Sequence, residues 1–160
     1  MLDYVYGHDE IIAQFVAQFI PRAQGRSFGP CATIGVVSEG ALIAGIVYNN
    51  YRADAGVIEM TTAAVPGTRW LSRETLRRMY EYPFLQLGCQ MIVLHADADD
   101  ERLLRQLAAL GHAFIRVPRL LGRDKDAVIC LLTREAWESN KITKRREPVA
   151  AYEPMLEEAA

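Results

Sequence analysis

The sequence predicts a single mixed α/β (α+β) domain in which an antiparallel meander is followed by a βαβ-type unit and a terminal hairpin. Three observations carry this. The chain has 160 residues, the size of one domain. Its first half holds three β-like runs joined by connections too short for a crossover. Its second half alternates helical and strand-like periods. Charge is nearly balanced, with 18 Lys+Arg against 20 Asp+Glu, and the apolar fraction is 51%, which argues against a disordered chain and against a strongly basic nucleic-acid surface. No apolar run reaches a membrane-spanning length, and the opening Met1-Leu2-Asp3-Tyr4 lacks a secretory layout, so a cytoplasmic setting is expected. Cys31, Cys89 and Cys130 lie far apart beside apolar runs and read as small buried hydrophobes, without the paired spacing that zinc would need; no metal is expected.

The elements follow in order. Ile11, Ile12, Phe15, Val16, Phe19 and Ile20 recur at helical spacing between His8 and Ile20, and Pro21 ends that helix. Residues 22–30 are loop by composition. Runs at Ala32–Ser38 and Leu42–Tyr51 are separated by Glu39-Gly40, a tight hairpin, and a third run spans Val57–Ala64 before Pro66-Gly67. Ser72 supplies an N-cap for a helix reaching about Leu87, with a kink or break expected near Glu81-Tyr82 because Pro83 cannot donate a backbone hydrogen bond. A buried strand at Gln90–Ala96 leads through an acidic turn into a helix with Leu103, Leu104, Leu107 and Leu110 inward and Gly111 as its stop. Phe114–Leu121 and Val128–Thr133 pair as the last hairpin. The domain is expected to end near residue 138, leaving 139–160 as a tail, extended or docked on a partner. Lys141–Arg146 reads as a solvated basic linker.

This order of elements, together with Leu42–Tyr51, Val57–Ala64, Tyr82–Gly88 and Leu107–His112, resembles the GNAT acyl-CoA-dependent N-acetyltransferases over about residues 8–137. The opening Tyr6-Gly7-His8-Asp9 and the loop Phe28-Gly29-Pro30-Cys31 are similar to small GNAT proteins of bacteriophages and prophages. The resemblance implies one mixed sheet with helices on both faces, and parallel-lying fourth and fifth strands that splay apart around acetyl-CoA, the co-substrate. It places the pyrophosphate on backbone N–H groups opening the next helix, where the helix dipole also favours an anion. Here that segment is Thr68, Arg69, Trp70, Leu71 and Ser72, with Arg73 following. The family's glycines are missing, since Pro66, Arg69 and Leu71 stand at the three motif positions. Arg69 and Arg73 are expected to compensate through charge-assisted bonds to phosphate oxygens. Asp100 stands where the family places an asparagine on the cofactor arm; it accepts but cannot donate an N–H, and it equally suits a helix cap. The family's helix tyrosine has no counterpart in Leu103–Gln106.

Acetyl transfer needs a deprotonated amine and a donor at the oxyanion. Glu59, inside an apolar strand, is the expected base, its alternative being a cross-strand partner of Arg52 or an outward-facing residue. The oxyanion donor is expected among the backbone N–H groups of Met60, Thr61 and Thr62. Tyr48, Asn49, Asn50 and Tyr51 end the neighbouring strand, and Tyr48 is the candidate to protonate the leaving thiolate, packing being the plainer reading. His95 ends the fifth strand, close to where the resemblance puts the thioester, with a hydrogen-bonded edge residue as the plainer reading; His8 reads as a helix-start residue and His112 as a substitute for a buried aromatic. The acceptor is a small-molecule or protein amine that the sequence does not specify. The competing reading is a GNAT-fold binding or assembly module without catalysis, in a homodimer or a phage particle, and the loop Pro66–Ser72 separates the two: an enzyme presents N–H groups there, a module fills it with side chains.

Overall fold

The computed structural model describes residues 1–21 and 27–144. The strands and helices in chain order are β1 (Leu2–Val5), α1 (Asp9–Gln18), β2 (Cys31–Ser38), β3 (Ala41–Arg52), β4 (Val57–Ala64), α2 (Arg73–Glu81), β5 (Met91–Asp97), α3 (Glu101–Ala109), β6 (Ala113–Gly122), β7 (Lys125–Thr133) and α4 (Arg134–Ser139). One seven-stranded sheet runs in the order β1-β2-β3-β4-β5-β7-β6. Every neighbouring pair is antiparallel except β4 and β5.

Local chemistry explains most boundaries. Glu39 and Gly40 both take positive φ, 50° and 78°, which is what a two-residue hairpin turn of matching twist requires. The Ser72 side chain accepts from the Thr75 N–H at 3.1 Å and opens α2. The helix then passes into a π-helical turn at Tyr82–Gln86, at the expected break. Its widened spacing shows in the bond from the Leu87 N–H to the Tyr82 carbonyl, five residues back, at 3.1 Å.

Two elements depart from the sequence expectation. β1 pairs antiparallel with the outer side of β2, and its Tyr4 hydroxyl lies 2.8 Å from Thr75 Oγ1 while the Arg78 guanidinium stands over the Tyr4 ring at 4.5 Å. α4 places Trp137 on Phe84, rings stacked with centroids 5.0 Å apart. Hydrogen-bonded structure continues to Lys144, because Asn140 Nδ2 donates to the Ala109 carbonyl at 2.8 Å and Thr143 Oγ1 to the Trp137 carbonyl at 2.9 Å. The expected tail beyond Lys144, including Arg145 and Arg146 of the basic run, lies outside the described residues.

Both sheet faces are covered on the β2–β4 side. α1 lays Ile12 and Val16 on Val47 and Ala63. The glycines of β2 and β3 permit the close approach: a Cβ on Gly45 would stand 2.7 Å from Val16 Cγ2. On the opposite face α2, α3 and α4 enclose the larger core, which includes Tyr48, Met60, Met79, Phe84, Leu107 and Trp137. Cys89 and Cys130 lie in it, and burial pushes both thiols up to about 11. His112 is buried there as well, its ring 6.1 Å from that of Tyr80.

Candidate functional site

The site begins where the sheet comes apart. β4 and β5 are paired only at Val57–Met91, Ile58–Ile92 and Glu59–Val93, although β4 continues to Ala64 and β5 to Asp97. A cavity of about 270 Å³ occupies the gap beyond that last pair. Strand alternation assigns its walls. Met60, Thr62, Leu94 and Ala96 face the α2–α3 side, whose cluster holds Met60, Leu94 and Ala96, whereas Thr61 and His95 face the α1 side. The cavity therefore threads the sheet. Leu103 of α3 closes one flank; Phe19, Ile20 and Pro21 after α1, with Leu121 and Lys125 of the β6–β7 hairpin, border the other.

Two carboxylates stand in this wall. Asp97 meets Lys125, Oδ2 to Nζ, at 2.7 Å, which ties the hairpin tip to the end of β5. That partner, first through its hydrogen bond and then through charge, raises the lysine's pKa. Asp100 caps α3, its Oδ1 accepting from the Leu103 N–H at 3.2 Å, so the capping reading and the cavity placement hold together.

The segment expected to hold phosphate lies outside the cavity walls, at the start of α2. Thr68 N–H and Oγ1 both turn back to the Val65 carbonyl, at 3.3 and 2.7 Å, and the Ser72 N–H is taken by the Trp70 carbonyl at 3.0 Å. Trp70 and Leu71 are half-buried against the core, while Arg69 and Arg73 are exposed. The structure thus brings Met60, Thr61, Thr62 and Asp100 together in one wall and sets Thr68–Arg73 apart from it.

Glu59 is half-buried, on the α1 side, two residues before Thr61 and outside the walls. Its Oε2 accepts from Asn50 Nδ2 at 2.9 Å; the partner is Asn50 and not Arg52, because Asn50 takes φ of 51° in an irregular end to β3. Tyr48 requires a correction. It is fully buried on the α2 side and its hydroxyl donates to the Met79 carbonyl at 2.6 Å. Burial, reinforced by the phenols of Tyr82, Tyr80 and Tyr6, raises its pKa well above the ordinary range, and its hydroxyl, bonded to Met79, lies in the core and outside the cavity walls, away from a thiolate in the gap. Asn49 is buried and donates to the Phe28 carbonyl at 3.1 Å, and the Tyr51 hydroxyl donates to the Leu87 carbonyl at 3.3 Å. His95 is the residue that sequence reasoning undervalued. The alternation of Ile92, Leu94 and Ala96 into the core already turns His95 to the other face, but only the opening beside β4 puts it in a cavity.

No family model matches the chain, and no curated protein sequence is similar to it. Solved structures are. A mutant form of the spermidine/spermine N-acetyltransferase SpeG of Vibrio cholerae superposes with a TM-score of 0.73 at 12% identity, covering 88% of this chain and 99% of that one. The dodecameric spermidine N-acetyltransferase of the same organism gives 0.69 at 12% identity over 88% and 98%. A crystal structure described as "Probable acetyltransferase" gives 0.58 at 16% identity over 67% and 63%. At these identities the likeness is one of fold, and with its mixed seven-stranded sheet and four helices the chain has the GNAT acetyltransferase fold.

Proposed function

We propose that this protein is an acyl-CoA-dependent N-acetyltransferase that moves the acetyl group of acetyl-CoA to an amine by direct attack. The observation that carries the reading is the cavity through the sheet between β4 and β5, reached from both faces. Among the described residues the walls of the gap carry one cationic side chain, Lys125, which already meets Asp97, so the phosphates belong outside, at Thr68–Arg73. There the start of α2 offers its dipole, although the N–H groups of Thr68, Ser72 and Thr75 are already bonded, and the exposed Arg69 and Arg73 offer guanidinium forks. Inside, the backbone of Met60–Thr62 has lost its β5 partner and is the natural donor set for a developing oxyanion. The acceptor amine approaches from the α1 side, where Glu59 supplies a carboxylate at the margin. The acceptors named for the two Vibrio cholerae structures are polyamines; here the Asp97 carboxylate in the wall already faces Lys125, which favours a less cationic amine. A cytoplasmic setting fits this use of acetyl-CoA, and self-association is in keeping with the dodecameric neighbour.

Calorimetry with acetyl-CoA at low and moderate salt tests the reading. Micromolar binding, weakened about tenfold in Arg69→Ala and by added salt, is expected. No binding at millimolar ligand would overturn it. One observation favours the second reading, a phage-associated or other assembly module: the half-buried Trp70 and Leu71 fill the loop where glycines would admit a pyrophosphate. Absence of acetyl-CoA binding would turn the search toward a protein partner.

A further inference from the structure

We propose that His95 is a catalytic residue of this site, the group that receives the proton of the attacking amine; the proposal rests on the acetyltransferase reading above. The argument is one of place. Glu59 and Val93 are the last residues to pair before the strands part, and two positions on, along each strand, stand Thr61 and His95. Both point to the α1 side and both form the cavity wall. On its other side β5 stays paired, His95 opposite Ile129 of β7, which fixes the backbone that carries the imidazole. The side chain thus stands on a rigid strand, at the gap, on the face from which the acceptor comes.

In the wall, Asp97 meets Lys125 and Asp100 caps α3. Phe19, Ile20 and Pro21 from the α1 end contribute no titratable group, and the hairpin contributes Leu121 and Lys125. On β4, Glu59 faces the same side but accepts from Asn50 outside the cavity. An imidazole can accept a proton on one ring nitrogen and pass it on, and among the described residues this wall holds one. The step balances without further reagents. As the amine nitrogen bonds the acetyl carbon, its proton passes to His95. As the carbon–sulfur bond breaks, that proton goes to the departing thiolate, so amine and acetyl-CoA yield amide and CoA thiol.

The test uses the full chain labelled with 13C at the imidazole carbons, in which three histidines, His8, His95 and His112, give signals. Titration with acetyl-CoA should shift one set saturably, and His95→Gln should remove that set. With whichever of spermidine, tyramine and lysine turns over fastest, His95→Gln should lower kcat on the order of 100-fold, leave the acetyl-CoA Kd within about twofold, and flatten the acid limb of the pH–rate profile. Glu59→Gln should keep that limb. A His95 signal unmoved at saturating acetyl-CoA overturns the proposal, as does a His95→Gln variant with wild-type kcat, while the acetyltransferase reading stands on binding and turnover. A chain that binds no acetyl-CoA overturns both. Where none of the three amines turns over, the imidazole shift alone decides.

Discussion

The hydroxyl of Tyr48 donates to the carbonyl of Met79 at 2.6 Å, and Met79 stands four residues before Pro83. In a regular helix that carbonyl would receive the N–H of the residue at position 83, which proline lacks. A tyrosine from β3 therefore completes the backbone of α2 just where the helix gives way to its π turn. Tyr48→Phe should leave the Met79 carbonyl buried and unmet, costing about 1–2 kcal/mol, with Tm lower by about 2–8 °C. Thermal unfolding measures this, and acetyl-CoA binding should not change. A loss of binding without a loss of stability would contradict the structural role.

His112 makes the chain acid-sensitive. Its Nδ1 lies 3.0 Å from the Leu107 carbonyl, and Nε2 is buried without a partner among the described residues. Burial lowers its pKa to about 4, against the upward pull of the Leu107 carbonyl. The folded state thus binds its proton less readily than the unfolded chain, whose histidine titrates near 6.5. Above pH 6.5 this contribution is fully present, and it is lost as pH falls toward 4, by up to about 3 kcal/mol. Urea titrations at pH 7, 5.5 and 4.5 should show the decline. His112→Phe should flatten that part of it.

Packing of α1 on the sheet depends on missing side chains. In Gly45→Ala the added methyl carbon would stand 2.7 Å from Val16 Cγ2 and 3.0 Å from Ile12 Cγ2. The helix must lift or its side chains leave their rotamers, at about 1–3 kcal/mol. Denaturant midpoints read the loss, and an unchanged midpoint would mean that α1 sits farther from β3 than described.

Asp100→Asn separates capping from ligand binding. Asparagine caps a helix about as well as aspartate, so stability should stay within about 0.5 kcal/mol. The amide adds a donor to the cavity wall and removes a negative charge from it. Acetyl-CoA affinity should therefore rise, several-fold by calorimetry. Equal affinity would place Asp100 away from the bound arm.

What could be read in advance was local. The Glu39-Gly40 turn, the Ser72 cap and the break at Pro83 depend on residues a few positions apart, and each is where the sequence places it. β1 and α4 escaped because, at four and six residues, they show no period and owe their order to distant groups: Thr75 and Arg78 for Tyr4, Phe84 for Trp137. At the site the limit was parity. Alternation tells which strand residues share a face, but β3 is covered on both, so Tyr48 went inside whichever way it pointed. His95 was undervalued for the converse reason: an opening between two strands is a property of the assembled sheet, and nothing within Met91–Asp97 announces it.

The short pairing of β4 with β5 also has a mechanical meaning. Three rungs are the whole seam between a four-stranded and a three-stranded half-sheet. A molecule wedged beyond Glu59 and Val93 would act as a splint, supplying rungs that the polypeptide omits and stiffening the joint between the halves. Occupancy of the gap would then be written in the backbone, as slowed exchange of the gap-facing amides within Met60–Thr62 and Leu94–Ala96, before any product was formed.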